Sequence, residues 1–120
     1  MKILICGDRH WDNYDSVLNI VKRLIKKYGN DITIIEGGAT GADTMAKKAA
    51  VQLEIKYKEY PANWELYGKK AGPIRNQQML DEEKPDIAIA FTPDINKSIG
   101  TRDMCSRAKK ANKPVYIFNK

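Results

Sequence analysis

The sequence predicts an α/β fold in three layers, a mainly parallel sheet of about five strands covered on both faces by helices. Two features of the chain carry that prediction. Short apolar runs alternate with longer stretches of helical periodicity from one end to the other, the pattern left by parallel strands joined through helical crossovers. Glycines also follow the first and second runs, and glycine is what a tight strand-to-helix turn favours.

Each element has its own signal. Residues 2–6 (KILIC) are a short apolar run suited to a buried strand. Val17, Ile20, Val21, Leu24, Ile25 and Tyr28 then recur at helical spacing, with Asp12 or Asn13 as the cap, Lys26 and Lys27 in the last turn and Gly29 at the exit. Residues 32–35 make the second strand, and an alanine-rich stretch from Thr40 to about Leu53 makes the second helix. Residues 55–60 read as a third strand ended by Pro61. A loop over about 62–72 holds Trp64 and Tyr67. Pro73, whose missing N–H costs nothing in a first turn, opens a helix that runs to about Glu83. Residues 86–91 (DIAIAF) are the fourth strand. Residues 101–111 are helical, with Met104, Cys105, Ala108 and Ala111 on one face, and Pro114 ends them before a last strand at 115–118.

At 120 residues the chain has room for one domain, 1–120, around one core. Its net charge of +6 favours anionic partners such as phosphates, nucleotides or nucleic acid. The lysine pairs at Lys26-Lys27, Lys47-Lys48, Lys69-Lys70 and Lys109-Lys110 mostly fall where a helix faces solvent, so charge alone does not argue for nucleic acid. Cys6 and Cys105 are far apart and no secretory signal precedes them, which points to reduced thiols in a cytoplasmic protein. His10 is the only histidine and no Cys-x-x-Cys pair exists, which argues against a zinc site. No metal or cofactor is expected, and no apolar run approaches the ~20 residues of a membrane span.

Parallel strands joined by right-handed crossovers all end at one edge of the sheet, where open α/β sheets bind their ligands. The segments after the first four strands therefore meet: Gly7-Asp8-Arg9-His10-Trp11-Asp12, Glu36-Gly37-Gly38-Ala39-Thr40-Gly41-Ala42-Asp43, Pro61-Ala62-Asn63-Trp64, and Thr92 with Ser98-Ile99-Gly100-Thr101. Their convergence predicts a site for a phosphate-bearing nucleotide. Gly37, Gly38, Ala39, Thr40, Gly41 and Asp43 form a glycine-rich turn into a helix, whose free N–H groups and dipole suit a phosphate. The spacing is neither a Walker A loop nor a GxGxxG motif, and a tight turn that needs glycine explains it as well. Arg75 sits in the first turn of the helix that Pro73 opens, where a cation opposes the helix dipole by about 0.3–1 kcal/mol. An anion shared with the helix terminus accounts for it, and so does an ion pair with an acidic neighbour. Arg9 is either a further phosphate or ribose contact or an ordinary ion-pair partner. Trp11 and Trp64 offer faces for stacking on a base, or pack into the core. Ser98, Gly100 and Thr101 make a second helix start of the same character, with Thr101 as a plain N-cap the local alternative.

Together, Gly7-Asp8-Arg9-His10-Trp11, Gly37-Gly38-Ala39-Thr40-Gly41-Ala42-Asp43, Pro61-Ala62-Asn63-Trp64, Tyr67-Gly68-Lys69, Ala71-Gly72-Pro73-Ile74-Arg75-Asn76, Met79 and Ser98-Ile99-Gly100-Thr101 resemble the SLOG superfamily. Within it they resemble the YspA-like, cpYpsA-related branch of small proteins often encoded by phages and plasmids. The pieces span nearly the whole chain in the family's order. The resemblance implies a Rossmann-like fold, a pocket for a nucleotide-derived small molecule that includes Gly7 and Asn76, and a homo-oligomer. The superfamily also holds the DNA-processing protein DprA and the LONELY GUY phosphoribohydrolases, which cleave the N-glycosidic bond of nucleoside monophosphates with an arginine and a glutamate.

Arg75 matches that arginine. Of the enzymes' PGGxGTxxE motif, however, only Gly100-Thr101 remains; Lys97-Ser98 replaces the two glycines and Met104 stands at the glutamate. A thioether cannot transfer a proton as a carboxylate does. The resemblance therefore favours a sensor or sequestering protein, for an ADP-ribose- or NAD-related signal among others, over a phosphoribohydrolase, with DNA or RNA binding third. For an enzyme, Arg75 and Asp43 are the catalytic candidates; Asp103 is a further carboxylate, and the spacing selects neither acid.

Overall fold

A computed structural model describes residues 1–120. Its elements alternate as β1 (Lys2–Gly7), α1 (Tyr14–Tyr28), β2 (Thr33–Glu36), α2 (Ala42–Gln52), β3 (Lys56–Glu59), α3 (Trp64–Tyr67), α4 (Ala71–Glu83), β4 (Ile87–Phe91), α5 (Ile99–Lys110) and β5 (Val115–Phe118). A 3₁₀ turn over Gly68–Lys70 joins α3 to α4. The sheet is wholly parallel, in the order β3-β2-β1-β4-β5. The chain thus winds outward from β1 to one edge and then from β4 to the other, and the direction reverses between those two central strands. That reversal opens a crevice at the strand carboxyl ends.

Side-chain alternation along each strand supplies the two outer layers. Ile3, Ile5, Ile34, Ile89 and Phe91 face α1 and α2. Leu4, Cys6, Ile35, Ala88 and Ala90 face α4 and α5, where they meet Met79, Met104, Cys105 and Ala108. Strands covered on both faces read as unbroken apolar runs, which is why KILIC and IAIAF were legible. The edge strand β3 (KYKE) is exposed at every position, and its lysines discourage further pairing. No helix is long and apolar enough to cross a membrane.

Three expected boundaries change. The second helix starts at Ala42 rather than Thr40, because Gly41 adopts φ +79° and the helical path can begin only after it. The stretch expected as a loop carries α3, capped by Asn63, whose side-chain oxygen accepts the Leu66 N–H at 3.1 Å. The last helix begins at Ile99, so Ser98 occupies the cap position and Thr101 lies inside the first turn. Pro73 falls in the first turn of α4 as expected.

Candidate functional site

The 37–43 loop begins where β2 ends. Glu36, the last residue of that strand, is fully buried on the α2 side of the sheet. Its Oε2 accepts the Gly38 N–H at 2.8 Å, while no donor reaches Oε1. Asp43, in the first turn of α2, is also buried, and its Oδ2 accepts the Ala39 N–H at 3.2 Å. Two of the loop's N–H groups are thus held by the protein's own carboxyls. Burial pushes Glu36 up to about 8, helped by a side-chain contact with Glu59 and opposed by the Gly38 N–H. Burial likewise pushes Asp43 up to about 6, against the pull of the Arg75 charge and the loop N–H groups.

Glycine is needed here for space. A Cβ on Gly41 would run into the backbone carbonyls of Asp8 and Arg9, and one on Gly7 would meet the Phe91 carbonyl and the Ala42 methyl. The first two strand-end segments are therefore pressed together, and Thr40 Oγ1 donates to the Arg9 carbonyl at 3.3 Å.

Arg75 projects from the first turns of α4 onto this loop. Its Nη1 donates to the carbonyl of Gly37 and, at 3.4 Å, to that of Tyr60; its Nε donates to Asn76 Oδ1 at 3.0 Å. No carboxylate lies within ion-pair distance of it, so the acidic-neighbour account does not describe it. Asn76, buried, donates through Nδ2 to Asp103 Oδ2 at 3.0 Å and to the Gly100 carbonyl at 3.4 Å. Asp103 also accepts Arg107 Nε at 2.9 Å. A hydrogen-bond chain thus runs from Gly37 through Arg75 and Asn76 to the start of α5.

The structure brings Gly37, Gly38, Ala39, Asp43, Arg75, Asn76 and Gly100 into this one connected group. Gly7 and Gly41 pack tightly beside it, and Thr40 stays exposed at the same turn. Ser98 and Thr101 are buried and bonded to each other, Ser98 Oγ to Thr101 Oγ1 at 2.7 Å, as the internal bracing of the α5 start. Arg9 is exposed and makes no ion pair.

Of the two readings of Trp11, the structure places its ring in the core. It is buried against Phe91, ring centroids 5.6 Å apart, and its indole N–H donates to the Asn13 carbonyl at 3.0 Å. Its edge lines a cavity of about 270 Å³ at the ends of β1, β4 and β5, shared with Asp8, His10 and Asn119. Trp64 stays 59% exposed on α3 and its ring is available. Met104 lies in the core between α5 and the sheet, away from the loop.

Sequence reasoning placed Glu36 at the strand-end edge without a role and missed Glu59. The two acids are register partners on β2 and β3, and that pairing is invisible until the strands are aligned.

Residues 1–67 match the model of the YspA, cpYpsA-related SLOG family. The chain is 31% identical over 122 residues to the Gene 61 protein of Mycobacterium phage D29, across 98% of this chain and 95% of that protein. It is similar to the structure of DNA processing protein A (DprA) from Streptococcus pneumoniae, with a TM-score of 0.71 and 20% identity over 97% of this chain and 49% of that one. It is also similar to DNA processing protein A from Helicobacter pylori, studied for its single-stranded DNA binding mode, with a TM-score of 0.69 and 19% identity over 98% of this chain and 64% of that one. The chain spans less than two thirds of both DprA chains, and at such identity these two likenesses show the fold alone. The family model and the full-length phage relative show more: the chain belongs to the YspA, cpYpsA-related SLOG family.

Proposed function

We propose that the strand-end group binds a phosphate-bearing nucleotide or nucleotide-derived ligand, an ADP-ribose- or NAD-related molecule among the candidates, and that the 1–120 domain holds this ligand as a sensor or sequestering protein. The observation that carries the reading is Arg75. A half-buried guanidinium rests on the glycine loop with no carboxylate within ion-pair distance, close to the start of α2, and a helix N-terminus favours an anion. Met104 in the core and Asp103 tied to Asn76 and Arg107 leave the phosphoribohydrolase glutamate without a counterpart where the family places it. That absence favours binding over turnover, with Asp43 the carboxylate a turnover reading would have to use.

Thermal-shift measurements with millimolar AMP, ADP-ribose, NAD and cyclic dinucleotides test this. A nucleotide is expected to raise the melting temperature of the native chain and to do nothing for Arg75→Ala. Product analysis of the same mixtures should show intact ligand; released base would instead support the glycosidic-bond enzyme. A panel without a hit would defeat the nucleotide reading.

A second reading, single-stranded nucleic acid, draws on the exposed Trp64 ring, the unpaired Arg9, the net charge of +6 and the likeness to a DprA that binds single-stranded DNA. It requires oligonucleotide binding that weakens steeply with salt. Absence of binding at low salt would remove it.

A further inference from the structure

Glu36 and Glu59 stand opposite each other on adjacent parallel strands, about 4.8 Å apart at the backbone. Both side chains lie on the α2 side. Glu59 leans over Gly38 and is held by Lys47 of α2 at 3.5 Å, and Glu36 sits beneath the same turn. Two carboxylates in register repel each other, and a fully buried oxygen without a donor is costly. Glu36 Oε1 has both problems. One proton solves them together, bound to Oε1 and donated to Glu59.

We propose that Glu36 and Glu59 share a single proton, and that this proton keeps the 37–43 loop able to accept an anion. The second half rests on the nucleotide reading above. The charges facing Glu36 are Asp43 and Lys47 from α2, its partner Glu59 from β3 and, across Gly37, Arg75 from α4; β1 contributes the neutral Gly7. With Glu36 neutral, two cations balance two carboxylates. Loss of the proton, delivered to solvent through the partly exposed Glu59, adds a buried negative charge directly beneath the expected phosphate. Burial and the Glu59 contact hold Glu36 protonated up to about 8, so the site is open to anions at neutral pH and closes in mild alkali.

Glu36→Gln tests this, because a carboxamide has the shape of the neutral acid: its N–H₂ can donate to Glu59 while its oxygen accepts from Gly38. The first readout needs no ligand. The melting temperature of the native chain, compared with that of Glu36→Gln, should fall as pH rises from about 5 and level off above about 8; parallel curves would overturn the shared proton. The second readout is titration calorimetry with ADP-ribose. Native affinity should fall about tenfold per pH unit above about 8, with a proton taken up on binding, whereas Glu36→Gln should show neither effect. Binding that is independent of pH up to 9.5, or that releases a proton, would overturn the link to the loop. Should Glu36→Gln fail to fold, Glu59→Gln at the more exposed position serves. Its amide donates to an ionised Glu36, so the fall in melting temperature should move to lower pH, and an unmoved profile contradicts the pairing. Diverging melting curves with no nucleotide bound at any pH would defeat the nucleotide reading and leave the shared proton established.

Discussion

Arg75 keeps a half-buried charge on the glycine loop with no carboxylate within ion-pair distance. The sequence suggests a cation in a first helical turn, but α4 starts at Ala71, which makes Arg75 its fifth residue, past the turn where the dipole opposes a cation most. Here the guanidinium reaches carbonyls at the ends of two strands, Gly37 and Tyr60, and only a folded sheet brings these together. The sequence located the residue but not its partners. Trp11 was ambiguous for the same reason, since an aromatic beside a strand end serves equally as core or as platform. The fold settles it by placing Phe91 of β4 against the ring. Trp11→Ala is therefore expected to cost about 3–5 kcal/mol, measured by urea denaturation, with ligand affinity in the surviving folded fraction unchanged. A loss of affinity with little loss of stability would return Trp11 to the site. Arg75→Ala should behave oppositely, with about 1 kcal/mol of stability lost and binding abolished. Arg75→Lys should not rescue it, because a single ammonium cannot hold Asn76 as Nε does while a second nitrogen, Nη1, holds the Gly37 and Tyr60 carbonyls.

At the scale of elements, the sequence was most legible where periodicity was strong and least where a start depended on one residue's backbone. The central strands and the amphipathic α1 declared themselves, and Asn13 caps α1 through a 3.1 Å bond to the Ser16 N–H. The start of α2 did not declare itself, because Gly41 takes a positive φ to press against the Asp8 and Arg9 carbonyls. Only the packing of the two strand-end segments demands that. Gly41→Ala should destabilise the chain by roughly 1–3 kcal/mol through backbone clash and strain. It should also weaken nucleotide binding, because the 37–43 loop would have to move. An alanine variant with native melting temperature and native affinity would show the close approach to be unimportant. Glu36 was located at the strand end but its role was not legible, because its partner Glu59 lies on another strand and only the register pairs them.

For the whole molecule, buried carboxyls pull stability in opposite directions with pH. Glu83 is gripped by Tyr60, by Lys2 at 3.0 Å and by Lys58 at 3.1 Å, tying α4 to β1 and to the β3 side. The Tyr60 hydroxyl and both lysines hold its carboxyl down to about 2 against the opposing effect of burial. Its contribution is present above the ordinary glutamate range and is lost as pH falls toward about 2. Glu36 and Asp43 are raised instead, so their contributions are present in acid and are lost as pH rises toward about 8 and about 6. The melting temperature should therefore peak near pH 5 and decline on both sides. Glu36→Gln should flatten the alkaline side and Glu83→Gln the acid side. A native profile that climbs from pH 5 to 8 would contradict this assignment.

Amide chemical-shift mapping of the isotope-labelled chain locates the ligand residue by residue. Titration with ADP-ribose, or with whichever nucleotide gives the largest thermal shift, should perturb residues 37–43, Arg75, Asn76 and the 98–101 segment together, saturably, and not in Arg75→Ala. Shifts confined to the solvent-facing lysine pairs, or to the cavity between α4 and α5 lined by Gln77, Ser106, Arg107 and Lys110, would contradict the strand-end site.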